Sequence, residues 1–339
     1  MASSNGEGSC LESVLLKKIL VFGFYHKGNA GDNFFIDAFQ VLFPDFDFQF
    51  INHITKHHLL NIDGVFIGGG SLIGEPISLD DGVFDLLKQQ NIFYIGVGSE
   101  TNIHPQHLQL LQIATLITIR NKEGLEKIKK INPKTIVIPD LVHSLTPKLS
   151  NCKIHKSILF LPNVLVMPQF DDPHWKYSAW EYFKTETAQF LDLMIKQNYY
   201  LSFFPLSTNF ELNDIFAGIE INNRMQYRDS GYFINNDSSF AAITHLMSQY
   251  SLIITQRYHG IILAEMLNIP CLAISHHHKI NSSFGHNISY YGLTKDQLKK
   301  ETEKIFASLP KVSPNLPFNS NISGFEELIR KVKDALCGD

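Results

Sequence analysis

The chain has little cysteine and no arrangement that would put it to use. Cys10, Cys152, Cys271 and Cys337 are scattered over 339 residues with no CxxC spacing, which argues against a disulfide framework and fits free thiols in a reducing compartment. Long hydrophobic runs are missing too. No apolar stretch approaches the ~20 residues that cross a bilayer, and the opening MASSNGEGSCLESVLLKK lacks the basic-then-apolar order of a signal peptide. Residues 1–16 read as a flexible leader. Cys337-Gly338-Asp339 is not a prenylation box, because its cysteine stands third from the end. No charge of one sign dominates: the formal net charge of −4 removes nucleic-acid binding by bulk charge. Neither GxGxxG nor a Walker lysine follows the first strand, so neither standard nucleotide site is supported. The expectation is a cytoplasmic protein without a membrane span, its oligomeric state left open.

What is present is a large apolar fraction, 44% of the residues, in short β-branched runs that alternate with helical periods. Strands are expected at Lys18–Phe24, Gly64–Ile67, Ile92–Val97, Leu116–Ile119 and Thr135–Ile138, with helices at Phe34–Leu42, Leu108–Ala114 and Glu123–Lys130. A polar stretch without period, Ser144–Lys156, reads as a linker. A second series follows, with strands at Ile158–Leu161 and Tyr199–Phe204 and helices at Tyr177–Gln197, Asn213–Glu220 and Phe240–Gln249. Strand–helix alternation of this kind specifies parallel sheets covered by helices. The fold class is therefore α/β, with two Rossmann-like halves and a cleft between them. The expected division is 17–148 and 149–322, with a terminal helix in 323–339.

Polar groups at the carboxyl ends of parallel strands face the ligand crevice. The segment Ser251–Ile280, SLIITQRYHGIILAEMLNIPCLAISHHHKI, reads as strand, turn, amphipathic helix and strand, and its two strand ends carry Arg257, His259 and Lys279. An Arg, a His and a Lys suit a small, doubly charged anion whose chemistry needs a proton. Arg120 stands at another strand end, where a guanidinium can grip a phosphate or carboxylate with two parallel hydrogen bonds, or can pair with Glu123 instead. Three glycine-bearing turns also follow strands. In Gly28-Asn29-Ala30-Gly31-Asp32, backbone N–H groups can meet an anion or a sugar hydroxyl at a helix start; alternatively this is a tight turn capped by Asp32 or Asn33. Gly68-Gly69-Gly70-Ser71 lets a ligand approach the backbone closely. Gly98-Ser99-Glu100 repeats that arrangement, with Glu100 a sugar ligand, a base or a plain surface carboxylate. His276-His277-His278 alternate across a strand and have no acidic or cysteine partners, so no metal site is expected. Trp175, Tyr177 and Trp180 can stack on a sugar or fill the core.

In this order, the motifs resemble the polysaccharide pyruvyl transferase family. The resemblance rests on GxxxxGNAGD, GGGSL, GVGS, Arg120, Pro139-Asp140, FFPL…ND, and finally QRYHGIILAEMLNIPCLAIS…K. It implies a GT-B-like two-domain fold, phosphoenolpyruvate as donor substrate with no cofactor, a saccharide acceptor, and transfer of pyruvate onto two hydroxyls as a cyclic ketal with release of phosphate. Arg120 and Arg257 would then grip the donor, His259 would move the proton, and Lys279 or His278 would add an anion contact. Asn29, Asp32, Gly69, Gly70, Ser71, Gly98 and Glu100 would line the acceptor side. The sequence departs from the family pattern at Asn121 and Gly124, after the first Arg, and at the three histidines before Lys279. Competing expectations are a GT-B glycosyltransferase using a nucleotide sugar, for which Glu265 is the available ribose ligand, and a non-catalytic saccharide-binding protein of the same fold.

Overall fold

A computed structural model describes residues 16–98, 102–122, 124–167, 174–209, 213–236, 239–275, 287–290, 292–308 and 322–337. The described strands form two six-stranded sheets. The first comprises β1 (Lys17–Phe22), β2 (Phe46–Ile51), β3 (Gly64–Gly68), β4 (Ile92–Val97), β5 (Leu116–Ile119) and β6 (Thr135–Val137) in the order β2-β1-β3-β4-β5-β6. The second comprises β7 (Ser157–Leu161), β8 (Tyr200–Phe203), β9 (Gly231–Phe233), β10 (Leu252–Thr255), β11 (Cys271–Ser275) and β12 (Asn287–Ser289) in the order β12-β11-β10-β7-β8-β9. Every pairing is parallel. In each sheet the order reverses beside its first strand, and that switch point opens a crevice at the carboxyl ends of the strands.

The helices are α1 (Ala30–Leu42), α2 (Val83–Leu87), α3 (Pro105–Ile113), α4 (Leu125–Ile131), α5 (His174–Lys196), α6 (Ile215–Asn222), α7 (Phe240–Met247), α8 (Tyr258–Met266), α9 (Lys295–Ser308) and α10 (Ile322–Cys337). Three strands were not expected from the sequence, β2, β9 and β12. The first alternates Phe with polar residues, and the other two are only three residues long; all three pair on one side alone. Helix α1 begins four residues earlier than expected. Its cap is Asn29, whose side chain accepts from the N–H of Gly31 at 3.1 Å, so Asp32 lies in the first turn and is not the cap. Helix α8 is not amphipathic either. Gly260 to Ala264 and Met266 are all buried and only Glu265 is exposed, because α8 lies between the second sheet and the first half of the chain.

One apolar core runs through both halves. Phe34, Phe35 and Phe39 of α1 share it with Leu141 and Val142, with Phe240 and Ile243 of α7, with Ile262 and Leu263 of α8, and with Phe325 and Leu328 of α10. Burying each such side chain contributes about 1.5–3 kcal/mol. Phe34 and Phe240 meet edge to face with centroids 5.3 Å apart. At the mouth of the cleft the backbone itself bridges the halves. Ala30 N–H donates to Leu206 O at 2.8 Å, and Thr208 N–H donates to Gly28 O at 2.8 Å.

Candidate active site

Helices α1 and α8 both start beside this bridge, and their caps and first turns line one space. The space is a cavity of about 280 Å³ lined by Phe24, Asn29, Asp32, Gly70, Arg120, Arg257, Tyr258 and His259 among others. A larger cavity of about 660 Å³ continues from it, sharing Phe24, Asn29, Asp32, Ser71, Leu165 and Arg257 and adding Lys27, Glu75, Ser207 and Asn209.

Each arginine is held by a buried carboxylate. Arg257, just before α8, places Nε 2.9 Å from Oδ2 of Asp214 and Nη2 against its Oδ1. Asp214 is fully buried and also accepts from the N–H groups of Val164 (3.1 Å) and Ser207 (2.9 Å). This grip uses one edge of the guanidinium and leaves Nη1 for a ligand. Arg120, at the end of β5, donates from Nη1 to Oδ2 of Asp140 at 2.8 Å and from Nη2 to Oγ of Ser71 at 3.2 Å. Its guanidinium lies 4.8 Å from the ring centre of Tyr258, a cation–π contact. Burial works against the charge on Arg120, but Asp140, Tyr258 and Asp32 outweigh it and hold its pKa above the ordinary value. Burial likewise opposes ionisation of Asp140, yet Arg120, His259 and the N–H of Val142 keep its carboxyl below the usual range.

His259 lies in the first turn of α8, its side chain 13% exposed, with Nε2 4.0 Å from Oδ2 of Asp140. Its ring meets Phe35 edge to face at 5.5 Å and rests on Gly31, where a Cβ would overlap Nδ1. Asp140 thus stands between Arg120 and His259. Asp32, half-buried in the first turn of α1, accepts from Nδ2 of Asn29 at 2.7 Å. Burial is the main cause that raises its pKa to about 6; Arg120, Arg257 and Asn29 pull it down, and Asp140 pushes it further up.

The structure therefore brings Asn29, Asp32, Gly70, Ser71, Arg120, Arg257 and His259 around one cleft. Gly69, at φ +76°, lies behind it, where a Cβ would strike the ring of Phe35, and Gly98 donates its N–H to Gly70 O at 3.0 Å. Both shape the wall without lining the cavities. Glu100, His278 and Lys279 lie outside the described residues, as does Glu123. Trp180 is core, 2% exposed and stacked on Phe183. Asp140, Asp214 and Tyr258 were not singled out from the sequence, although all three stand inside quoted motifs. What would have marked Asp140 and Asp214 is the need of a buried arginine for a carboxylate. Among the described residues, no group of three or more His, Cys, Asp or Glu could hold a metal ion, and no helix is long and apolar enough to cross a membrane.

Solved structures similar to this one share its fold. S. aureus MnaA in complex with UDP superposes with a TM-score of 0.61 at 12% identity, over 95% of this chain and 97% of that one. The UDP-GlcNAc 2-epimerase of Neisseria meningitidis gives 0.55 at 12% identity, over 93% and 100%. That of Methanocaldococcus jannaschii gives 0.54 at 11%, over 94% and 99%. The two epimerases are GT-B fold enzymes, and the two parallel sheets place this chain in the same architecture. No curated protein matches the sequence. The profile of one family, described as polysaccharide pyruvyl transferase, matches residues 17–278. That span holds both sheets up to the end of β11 and every arginine, histidine and aspartate of the cleft, and the chain belongs to the polysaccharide pyruvyl transferase family.

Proposed function

We propose that the protein transfers pyruvate from phosphoenolpyruvate onto two hydroxyls of a saccharide, forming a cyclic ketal and releasing phosphate. The observation that carries this reading is the convergence of Arg120, Arg257 and His259 on one cavity, beside the first turns of α1 and α8. Phosphoenolpyruvate has two anionic groups, and the reaction adds a proton to its methylene carbon. The free edge of Arg257 and the stacked guanidinium of Arg120 suit the phosphate and carboxylate. His259 is the proton donor to carbon, and Asp140 beside it stabilises the cation it must form. As the C–O–P bond breaks, charge grows on the departing phosphate, where fixed donors stabilise it most. His278 and Lys279, which follow β11 in the sequence, complete the donor set in this reading. The larger cavity, with Phe24 on its wall and Lys27, Glu75, Ser207 and Asn209 at its edge, takes the saccharide. No chemistry in this scheme calls for a cofactor.

Support for the nucleotide-sugar alternative is weaker. Glu265, its expected ribose ligand, is exposed in the middle of α8 and lines neither cavity. The two readings separate in one thermal-shift experiment. Phosphoenolpyruvate is expected to raise Tm, Arg257→Ala to reduce that shift, and His259→Ala to abolish phosphate release with a saccharide acceptor while the fold is kept. Stabilisation by a nucleotide sugar with no response to phosphoenolpyruvate would overturn the pyruvyl-transfer reading.

A further inference from the structure

Among the described residues three aspartates stand in or against the cleft, with partners that differ, and Glu75 lines the larger cavity alone. Asp140 and Asp214 are each engaged directly by an arginine. Asp32 instead accepts from the neutral amide of Asn29 at 2.7 Å, and it lines both the smaller and the larger cavity. Its Oδ1 points toward Gly70: a Cβ there would come within 3.2 Å of that oxygen, so the glycine leaves the approach to the carboxylate open. The residue before Asp32, Gly31, seats His259. The first turn of α1 thus supplies a carboxylate to both cavities and the seat of the imidazole that lines the smaller one.

We propose that Asp32 is the general base of ketal formation, taking the proton from the acceptor hydroxyl that attacks C2 of the enolpyruvyl group. The proposal rests on the pyruvyl-transfer reading above and adds to it the group that activates the acceptor. The proton count requires such a group. Two hydroxyls lose two protons; one ends on the methylene carbon, which becomes a methyl, and one ends on the departing phosphate. C2 exchanges its π bond and its bond to the phosphate's bridging oxygen for two new C–O bonds, and nothing is oxidised or reduced. His259 gives its proton to the methylene carbon as the first hydroxyl oxygen bonds C2 and Asp32 takes that hydroxyl's proton. Asp32 then returns the proton to the bridging oxygen as the phosphate leaves, and His259 recovers its own from the second hydroxyl. Both groups end in the state in which they began, so no buried charge accumulates over the cycle.

The surroundings of Asp32 suit this role. Arg120 and Arg257 face it and favour its ionised form, Asp140 opposes that form, and the buried hydroxyl of Tyr25 lies behind it, with its own pKa raised first by burial and then by Asp32. Burial prevails, and a carboxyl with a pKa of about 6 is ionised at neutral pH while being a stronger base than an ordinary aspartate. The carboxylate is the working form, so turnover should fall as pH drops through about 6.

The test measures phosphate release from phosphoenolpyruvate against pH. Methyl glycosides of galactose, glucose, mannose and N-acetylmannosamine serve as acceptors, and the wild type is compared with Asp32→Asn and Asp32→Glu. Asp32→Asn is expected to lose about 10²–10⁴-fold in kcat, to lose the acidic limb, and to keep the rise in Tm caused by phosphoenolpyruvate. Asp32→Glu should recover part of the rate, with the limb displaced. An Asp32→Asn variant with unchanged kcat or an unchanged acidic limb overturns the proposal, and so does one whose response to phosphoenolpyruvate is lost in step with its rate, since Asp32 would then position the donor. A wild type that neither responds to phosphoenolpyruvate nor pyruvylates any glycoside overturns the function itself, an outcome distinct from failure of Asp32 alone.

Discussion

Gly31 shows how a residue without a side chain can be required for chemistry. The ring of His259 occupies the space its Cβ would fill. In Gly31→Ala the helix gains about 1 kcal/mol of propensity, whereas overpacking a filled site costs about 1–3 kcal/mol. The two nearly offset in stability, and the displaced imidazole is what remains. Gly31→Ala is therefore expected to change Tm little and to lower phosphate release at least about 10²-fold, the range of a misplaced acid–base group. A fully active Gly31→Ala would show that the ring is not needed where it lies. At this scale the sequence was informative about cations but not about the carboxylates that hold them: for Arg120 it offered Glu123, and the structure pairs it with Asp140. Arg120, Arg257 and His259 could be read because strand ends face the crevice. The carboxylates that hold the two arginines stand 20 and 43 residues away along the chain, and no local period relates residues at such distances.

Among the elements, the segment around Asp214 ties three separate pieces of chain to the cleft. Its carboxylate takes the guanidinium of Arg257, the N–H of Val164 after β7 and the N–H of Ser207 after β8. Removing one partner of a buried ion pair leaves the other charge without compensation and costs about 3–5 kcal/mol. Asp214→Ala is expected to destabilise the protein by that amount in denaturant unfolding and to weaken the phosphoenolpyruvate response, because Arg257 is no longer aimed. A stability change below about 1 kcal/mol, the value of an exposed pair, would mean that the cluster is well solvated. The elements best legible in the sequence were short continuous apolar runs, such as β4, β5 and β7, whose positions are buried throughout. The start of α1 was not: Asn29-Ala30-Gly31-Asp32 has the composition of a turn, and it is helical because Asn29 caps it and Ala30 is bonded to Leu206. That bond comes from the other half of the chain, beyond the reach of local pattern. The amphipathic reading of α8 failed for the same reason, since the second surface that buries it is also distant in sequence.

For the molecule as a whole, strand–helix alternation was enough to anticipate two parallel sheets, but not how firmly the halves are joined. Phe34 and Phe240 come from different halves and meet within one continuous core, into which α10 also packs from the end of the chain. Lys333 of α10 lies 2.7 Å from Asp45 of the first half; exposed pairs of this kind contribute only about 0–1 kcal/mol, so the apolar contact dominates the joint. When two halves share their core, unfolding one exposes apolar surface of the other, and the two transitions merge. Thermal unfolding is therefore expected as one cooperative transition, coincident by near-UV and far-UV circular dichroism. Phe240→Ala removes a buried aromatic at the joint at a cost of about 3–5 kcal/mol. It should lower the whole transition, or split it in two if the joint alone enforces cooperativity. Two resolved transitions in the wild type would mean that each half is stable by itself and that the cleft, with Asp32 and Arg120 on one wall and Arg257 and His259 on the other, is free to open between them.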